Sequence, residues 1–271
     1  MPIVIPFEKG RFESAAEYYL EGRPRYADRL IRQVADLLGL RGTQKLLDLG
    51  TGPGQLAIAF APYAGEVTAI DPEPAMLRIA AEQAAKSGVR LKVLEGNSYT
   101  LDGSLGPFEL VTIGRAFHWM DRPRTLEILD QLIRPGGAVA LFSTRHPDVP
   151  ENEWLKDYDS LADSYGEADS PRRIRRSADW VPHEAVLLDS SFSELRRIGI
   201  IERRLTPLEQ LVTRALSFSI TSPGRIGARA DALAEAIRAT LSAHAVEGMI
   251  REVVESEALL AFRPDSESTG K

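Results

Sequence analysis

A doubly wound α/β fold, with a mostly parallel sheet covered by helices on both faces, is predicted by three features of this 271-residue chain. Short apolar runs alternate with amphipathic segments of about 10–15 residues, the pattern of βαβ units. The first apolar run ends in a glycine-dense turn, DLGTGPG at 48–54, that leads into a helix-like run. The length suits one large domain, or one domain carrying a substantial insertion.

The elements follow in order. Residues 27–40, ADRLIRQVADLLGL, place apolar side chains at helical spacing and stop at Gly39 and Gly42. KLLDLG (45–50) reads as the first strand, with a helix over 54–62. EVTAID (66–71) is the second strand, followed by the helix EPAMLRIAAEQAAKSG. RLKVLEG (90–96) is the third strand and FELVTIGRA (108–116) the fourth, with a helix over TLEILDQLIR. AVALFST (138–144) is the fifth. The alternation breaks between 145 and 190, where charged and aromatic residues predict helical stretches and no strand. SELRRIGIIERR (193–204) reads as a strand, two helices follow, and ALLAFRP (258–264) is the last strand before a frayed tail, SESTGK.

Composition excludes several classes of function. The chain is 44% hydrophobic and 27% charged, as a globular protein is, and its net charge of -6 argues against general nucleic-acid binding. It contains no cysteine, so disulfides, thiolate nucleophiles and thiolate metal sites are ruled out. The four histidines have no zinc-ligand spacing, and no metal is expected. The opening MPIVIPFEKGRF lacks signal-peptide organisation, and no apolar run approaches the roughly 20 residues of a membrane helix. A cytoplasmic protein is expected.

The glycine turn carries the chemistry. Gly52, Gly54 and Ala57 satisfy G-x-G-x-x-G/A, with Asp71 placed for a ribose, so a dinucleotide is one reading. Asp48 speaks against it, because a carboxylate at that strand tip suits a cationic group better than a pyrophosphate. The glycines also alternate as Gly50-x-Gly52-x-Gly54, with Pro53 fixing the backbone between the last two. A ligand with an ammonium, a carboxylate and a ribose answers all these features, and S-adenosylmethionine has them.

With these residues in view, the sequence resembles the class I S-adenosylmethionine-dependent methyltransferases over roughly residues 10–145. The resemblance rests on Asp48 to Gly54, Asp71, Glu95-Gly-Asn97-Ser98 and Arg134-Pro-Gly136-Gly137. AFHWMD (116–121) and YYLEGRPRY (18–26) look like the small-molecule subfamily that includes trans-aconitate-type enzymes. It implies a Rossmann-like seven-stranded sheet whose last strand is antiparallel, the seventh supplied by 258–264 and the sixth by the strand near 194–202. The helices before Leu30 and the insert after strand five would lid the site.

The resemblance also implies roles. Gly50, Gly52 and Gly54 let the backbone lie against the methionine portion, and Asp48 orients the ammonium end, directly or through water. Asp71 accepts from the ribose hydroxyls; its structural alternative is capping the helix after Pro72-Glu73. Met76 contacts the adenine or packs in the core. Asn97 bonds the exocyclic amine through its carbonyl oxygen, with Ser98 beside it, although the family usually has an acid at 97. Arg23, or Tyr18 or Tyr19, holds the cofactor carboxylate. Thr51, Pro72 and Arg115 complete the predicted cofactor set.

His118 follows strand four, where the methyl should point, and is the candidate general base or acceptor contact. The run SPRRIRRS (170–177) is either a solvated helix face or a site for an anionic acceptor group. The expected organisation is a single domain over 1–271: a helical cap (1–40), a cofactor core (41–145), an insert or lid (146–190) and a C-terminal completion (191–265). The expected activity is methyl transfer to a small molecule, without nucleic-acid or membrane partners. Alternatives are an RNA-base methyltransferase, a non-catalytic S-adenosylmethionine-binding protein and, more distantly, a dehydrogenase.

Overall fold

A computed structural model describes residues 3–6 and 8–264; the tail SESTGK lies outside them. The helices are α1 (Ala16–Gly22), α2 (Asp28–Leu37), α3 (Gln55–Phe60), α4 (Pro74–Lys86) and α5 (Arg122–Leu132), then α6 (Leu155–Tyr165), α7 (Ser170–Arg175) and α8 (His183–Leu188). After these come α9 (Leu208–Leu216), α10 (Pro223–Ile226) and α11 (Arg229–Leu241). The strands are β1 (Lys45–Leu49), β2 (Glu66–Asp71), β3 (Lys92–Glu95), β4 (Phe108–Gly114), β5 (Ile133–Arg145), β6 (Glu194–Pro207) and β7 (Met249–Phe262). They form one seven-stranded sheet in the order β3-β2-β1-β4-β5-β7-β6. β7 runs antiparallel between β5 and β6, and β1 to β5 pair in parallel.

Helices fill both faces for the reason the alternation predicts. β1 is the clearest case: Leu46, Leu47 and Leu49 are all buried, and they divide between two apolar clusters, one on each side of the sheet. α2 and α3 close the first, where Tyr26 and Phe60 meet Phe142 edge-on. α5 and α8 close the second. α5 starts where Asp121 accepts from the Arg124 N–H, an N-cap that sets the helix three residues ahead of its apolar run.

Strand β7 begins at Met249, well ahead of the 258 expected from sequence. Its first half, REVVESE, carries charges where a strand core would be apolar. Glu252 is buried there because Arg214 of α9 meets it with two parallel hydrogen bonds of 2.9 and 3.0 Å. Thr206 donates to the same carboxylate, and His146 Nε2 lies 3.0 Å from it. An ion pair satisfied in this way can replace an apolar residue in a strand. The same Arg214 backbone abuts α1, since a Cβ on Gly22 would lie 2.7 Å from Arg214 Cα. α1 is thereby held against α9, over the carboxyl ends of β1 and β4. Among the described residues no helix is long and apolar enough to cross a membrane.

Candidate functional site

The tips of β1, β2 and β4 open onto a cleft at the point where the strand order reverses. Gly50, Gly52, Asp71, Pro72, Met76, Asn97, Ser98 and Arg115 all line it. Gly50 and Gly52 differ in what they do. Both have positive φ, but a Cβ on Gly50 would strike Ala116 Cβ at 2.6 Å, whereas nothing stands within 4 Å of one on Gly52. Gly50 lets the loop press against the residues after β4, and Gly52 leaves space beside the cleft.

Two carboxylates brace the loop. Asp71 Oδ2 accepts from the Gly52 N–H at 2.8 Å and Oδ1 from the Glu73 N–H at 2.9 Å. Each oxygen keeps capacity for a further donor from the cleft. Burial raises the Asp71 pKa to about 6, against the two N–H bonds that lower it. Asp48 is buried more completely. Its oxygens accept from Thr51 Oγ1 (2.6 Å), Thr112 Oγ1 (2.7 Å) and the Ala57 N–H (3.1 Å). Desolvation nevertheless pushes its pKa up. Asp48 and Thr51 line a smaller hollow beneath the loop with Tyr26 and Gln55, rather than the main cleft.

Three expectations change. Gly54 does not line these hollows; it is the left-handed N-cap of α3, where a Cβ would stand 3.1 Å from Ala80 Cβ. Its smallness serves the approach of α3 to α4. Asn97 turns its carbonyl oxygen to the Tyr99 N–H at 2.9 Å, closing its own turn, which leaves its amide N–H groups as donors. Arg23 opens onto a second chamber rather than the main cleft.

That second chamber adjoins the first and shares Phe12, Tyr19, Arg115 and Trp119 with it. His118 lines it and does not line the cleft. The 3₁₀ turn Phe117–Trp119 after β4 places His118 there, with its ring 4.6 Å from that of Trp119. Burial, and after it the charge of Arg175, hold the His118 pKa well below the usual histidine range, so its imidazole is neutral. Arg115 stands at the junction in a left-handed conformation, φ 54°. Its guanidinium donates to Gln55 Oε1, Thr144 Oγ1 and the Pro24 carbonyl. Arg23 donates to the Ser217 carbonyl at 3.1 Å and lies over Phe218, with its Nε buried and unpartnered. Burial lowers the Arg23 pKa to about 10, which leaves it charged at neutral pH.

Sequence reading missed Phe12, Asp159 and the stretch Phe218 to Ile220 on this wall. Phe218 falls at the end of a segment read only as helix, and nothing local marks it as a site residue. The lid over Trp119 is also tertiary: Arg11 pairs with both Glu8 and Asp169, which ties the N-terminal segment to the start of α7.

Known proteins agree with this geometry. Residues 46–137 match a family described as a methyltransferase domain. That stretch holds the glycine loop and strands β1 to β4, and over it the chain is similar to a methyltransferase domain. An uncharacterized methyltransferase of Mycobacterium tuberculosis is 28% identical over 218 residues, covering 79% of this chain and 80% of that one. Among solved structures, an S-adenosylmethionine-dependent methyltransferase of Geobacter sulfurreducens in complex with S-adenosylhomocysteine superposes with a TM-score of 0.54 at 17% identity. The alignment covers 96% of this chain and 99% of that one. The counterpart from Thiobacillus denitrificans, also in complex with S-adenosylhomocysteine, gives 0.52 at 18% identity, over 97% and 100%. At that identity the likeness is one of fold.

Proposed function

We propose that this single-domain enzyme transfers the methyl group of S-adenosylmethionine, bound in the cleft over the glycine loop, to a small molecule held in the second chamber. The observation that carries the reading is the pair of adjoining chambers, one walled by the loop and Asp71, the other by His118. The donor set fits the cofactor part by part. Asp71 has free acceptor capacity for the ribose hydroxyls. Met76, buried among Ala16 and Ile79, offers an apolar surface for the adenine, and the Asn97 amide and Ser98 edge it. Arg23 lines the adjoining chamber and would take the carboxylate only where the two chambers join, with its unpartnered Nε. Asp48 would act on the ammonium end from beneath the loop, with Gly50 and Gly52 leaving the backbone bare.

S-adenosylmethionine supplies a methyl group already activated by its sulfonium. The chain's own task is therefore alignment and exclusion of water. α1, the N-terminal segment and residues 146–190 form the lid that excludes it. A neutral His118 cannot donate a charge, but its ring nitrogens can orient an acceptor or take a proton from it. Its depressed pKa makes it a weak base, which favours acceptor contact over proton storage.

Thermal unfolding tests the cofactor reading. S-adenosylhomocysteine at a hundredfold excess over its Kd should stabilise the protein by about 2.7 kcal/mol, and NADH should not stabilise it. Stabilisation by NADH alone would return the glycine loop to a dinucleotide.

A further inference from the structure

The second chamber carries more positive charge than the protein itself answers. Four arginines, Arg23, Arg115, Arg172 and Arg175, line it with one carboxylate, Asp159. Arg115 is engaged by three acceptors, and Arg172 Nη1 lies 2.5 Å from Asp163 Oδ1. Arg175 is different. Among the described residues it forms no ion pair, and its Nε is buried without a hydrogen-bond partner. The nearest candidate, Asp169, is already paired with Arg11 and accepts from the Arg172 N–H to cap α7. Instead the Arg175 guanidinium lies over Trp119, 4.9 Å from the ring centroid.

A half-buried cation with an unpartnered Nε is under-satisfied, and the arginine fork matches the geometry of a carboxylate or phosphate. We propose that the second chamber receives an acceptor bearing an organic oxyanion, a carboxylate or a phosphate ester, which Arg175 anchors beside His118 and Trp119. This rests on the reading of that chamber as the acceptor site. The two under-partnered arginines then have separate duties: Arg23 meets the cofactor carboxylate, and Arg175 meets the acceptor. Phe12, Trp119 and Phe218 give the chamber aromatic walls for the organic part of such a molecule, so inorganic phosphate alone would use only half of it.

The test titrates the full-length protein, with and without S-adenosylhomocysteine, by calorimetry. The probes are benzoate, succinate and phenyl phosphate, each compared with a neutral counterpart: benzamide, succinamide and phenol. At least one anion should bind more tightly than its counterpart. Arg175→Gln should weaken that anion about tenfold and leave the Kd for S-adenosylhomocysteine unchanged, and Arg175→Lys should recover part of the loss. A preference for phenyl phosphate or for the carboxylates decides which oxyanion the site takes. The proposal fails if no anion outbinds its neutral counterpart, or if the preference survives in Arg175→Gln. If Arg175→Gln does not fold, Arg175→Lys carries the test, and a preference it leaves undiminished is equally fatal. Loss of S-adenosylhomocysteine binding by the wild-type protein would sink the cofactor reading instead, and the titrations without it would still decide the anion.

Discussion

The two chambers share a roof but differ in their floors. The floor of the cleft is backbone, a loop and three strand tips with two carboxylates holding N–H groups in place, and side chains such as Phe12, Tyr19, Met76 and Trp119 cover it. The second chamber is made of side chains, contributed by the N-terminal segment, the turn after β4, the α6–α7 region and the loop after α9. A backbone site is specified locally and resists variation. A side-chain site is assembled from distant stretches and can change its occupant without disturbing the sheet. On the proposed reading the cofactor lies on the first and the acceptor on the second.

Substitutions can break that contrast, and the largest effect should fall on the loop. Gly50→Ala forces a Cβ to within 2.6 Å of Ala116 Cβ at a positive φ, which should lower stability by about 2–4 kcal/mol. Gly52→Ala has open space, and should cost only about 1–2 kcal/mol from the left-handed backbone. Urea unfolding of both variants measures the difference, and equal losses would show that the loop is not pressed against the β4 side. Asp71→Ala removes the proposed ribose acceptor and frees the Gly52 and Glu73 N–H groups together. It should weaken S-adenosylhomocysteine by at least about tenfold by calorimetry, with a smaller loss for Asp71→Asn, which retains one acceptor oxygen.

The pH dependence follows from Asp71. Its carboxyl must be ionised to accept both from the loop and from a ribose, and its pKa is raised to about 6. Below that value binding must first release a proton. Affinity for S-adenosylhomocysteine should therefore fall toward about tenfold per pH unit below pH 6 and be flat above it. The ligand-free protein should move the other way. A raised folded pKa means that this group adds stability as pH falls from about 6 toward the ordinary carboxylate value near 3.9. Affinity that is flat from pH 5 to 7 would take Asp71 out of the contact. The smallest effect on cofactor binding should come from the other chamber. His118→Gln should leave S-adenosylhomocysteine affinity unchanged, while turnover with an identified acceptor falls. An altered cofactor affinity would show that the chambers are not separable.

Much of the cleft was legible in the sequence because its signals are local. Asp48, Gly50, Gly52 and Asp71 sit at the ends of apolar runs, and a strand followed by a helix puts such residues at one edge of a parallel sheet. Gly54 is ambiguous in the sequence because a glycine at a helix start looks the same whether it faces a ligand or a neighbouring helix. The oxygen of Asn97 was assigned outward because nothing in the sequence reveals that the Tyr99 N–H claims it. The early start of β7 escaped because Glu252 finds its partner, Arg214, on a helix 38 residues away.

The sequence by itself determined the alternation of strands and helices, the glycine loop at the tip of β1 and the acid at the tip of β2. Apolar periodicity and backbone conformational limits act over a few residues and need no partner from elsewhere. Only the tertiary structure decided that Arg175 stands beside a neutral His118 without a counter-ion among the described residues. The charge state of a side chain depends on what surrounds it in space, and the groups that set it here come from four separate stretches of the chain.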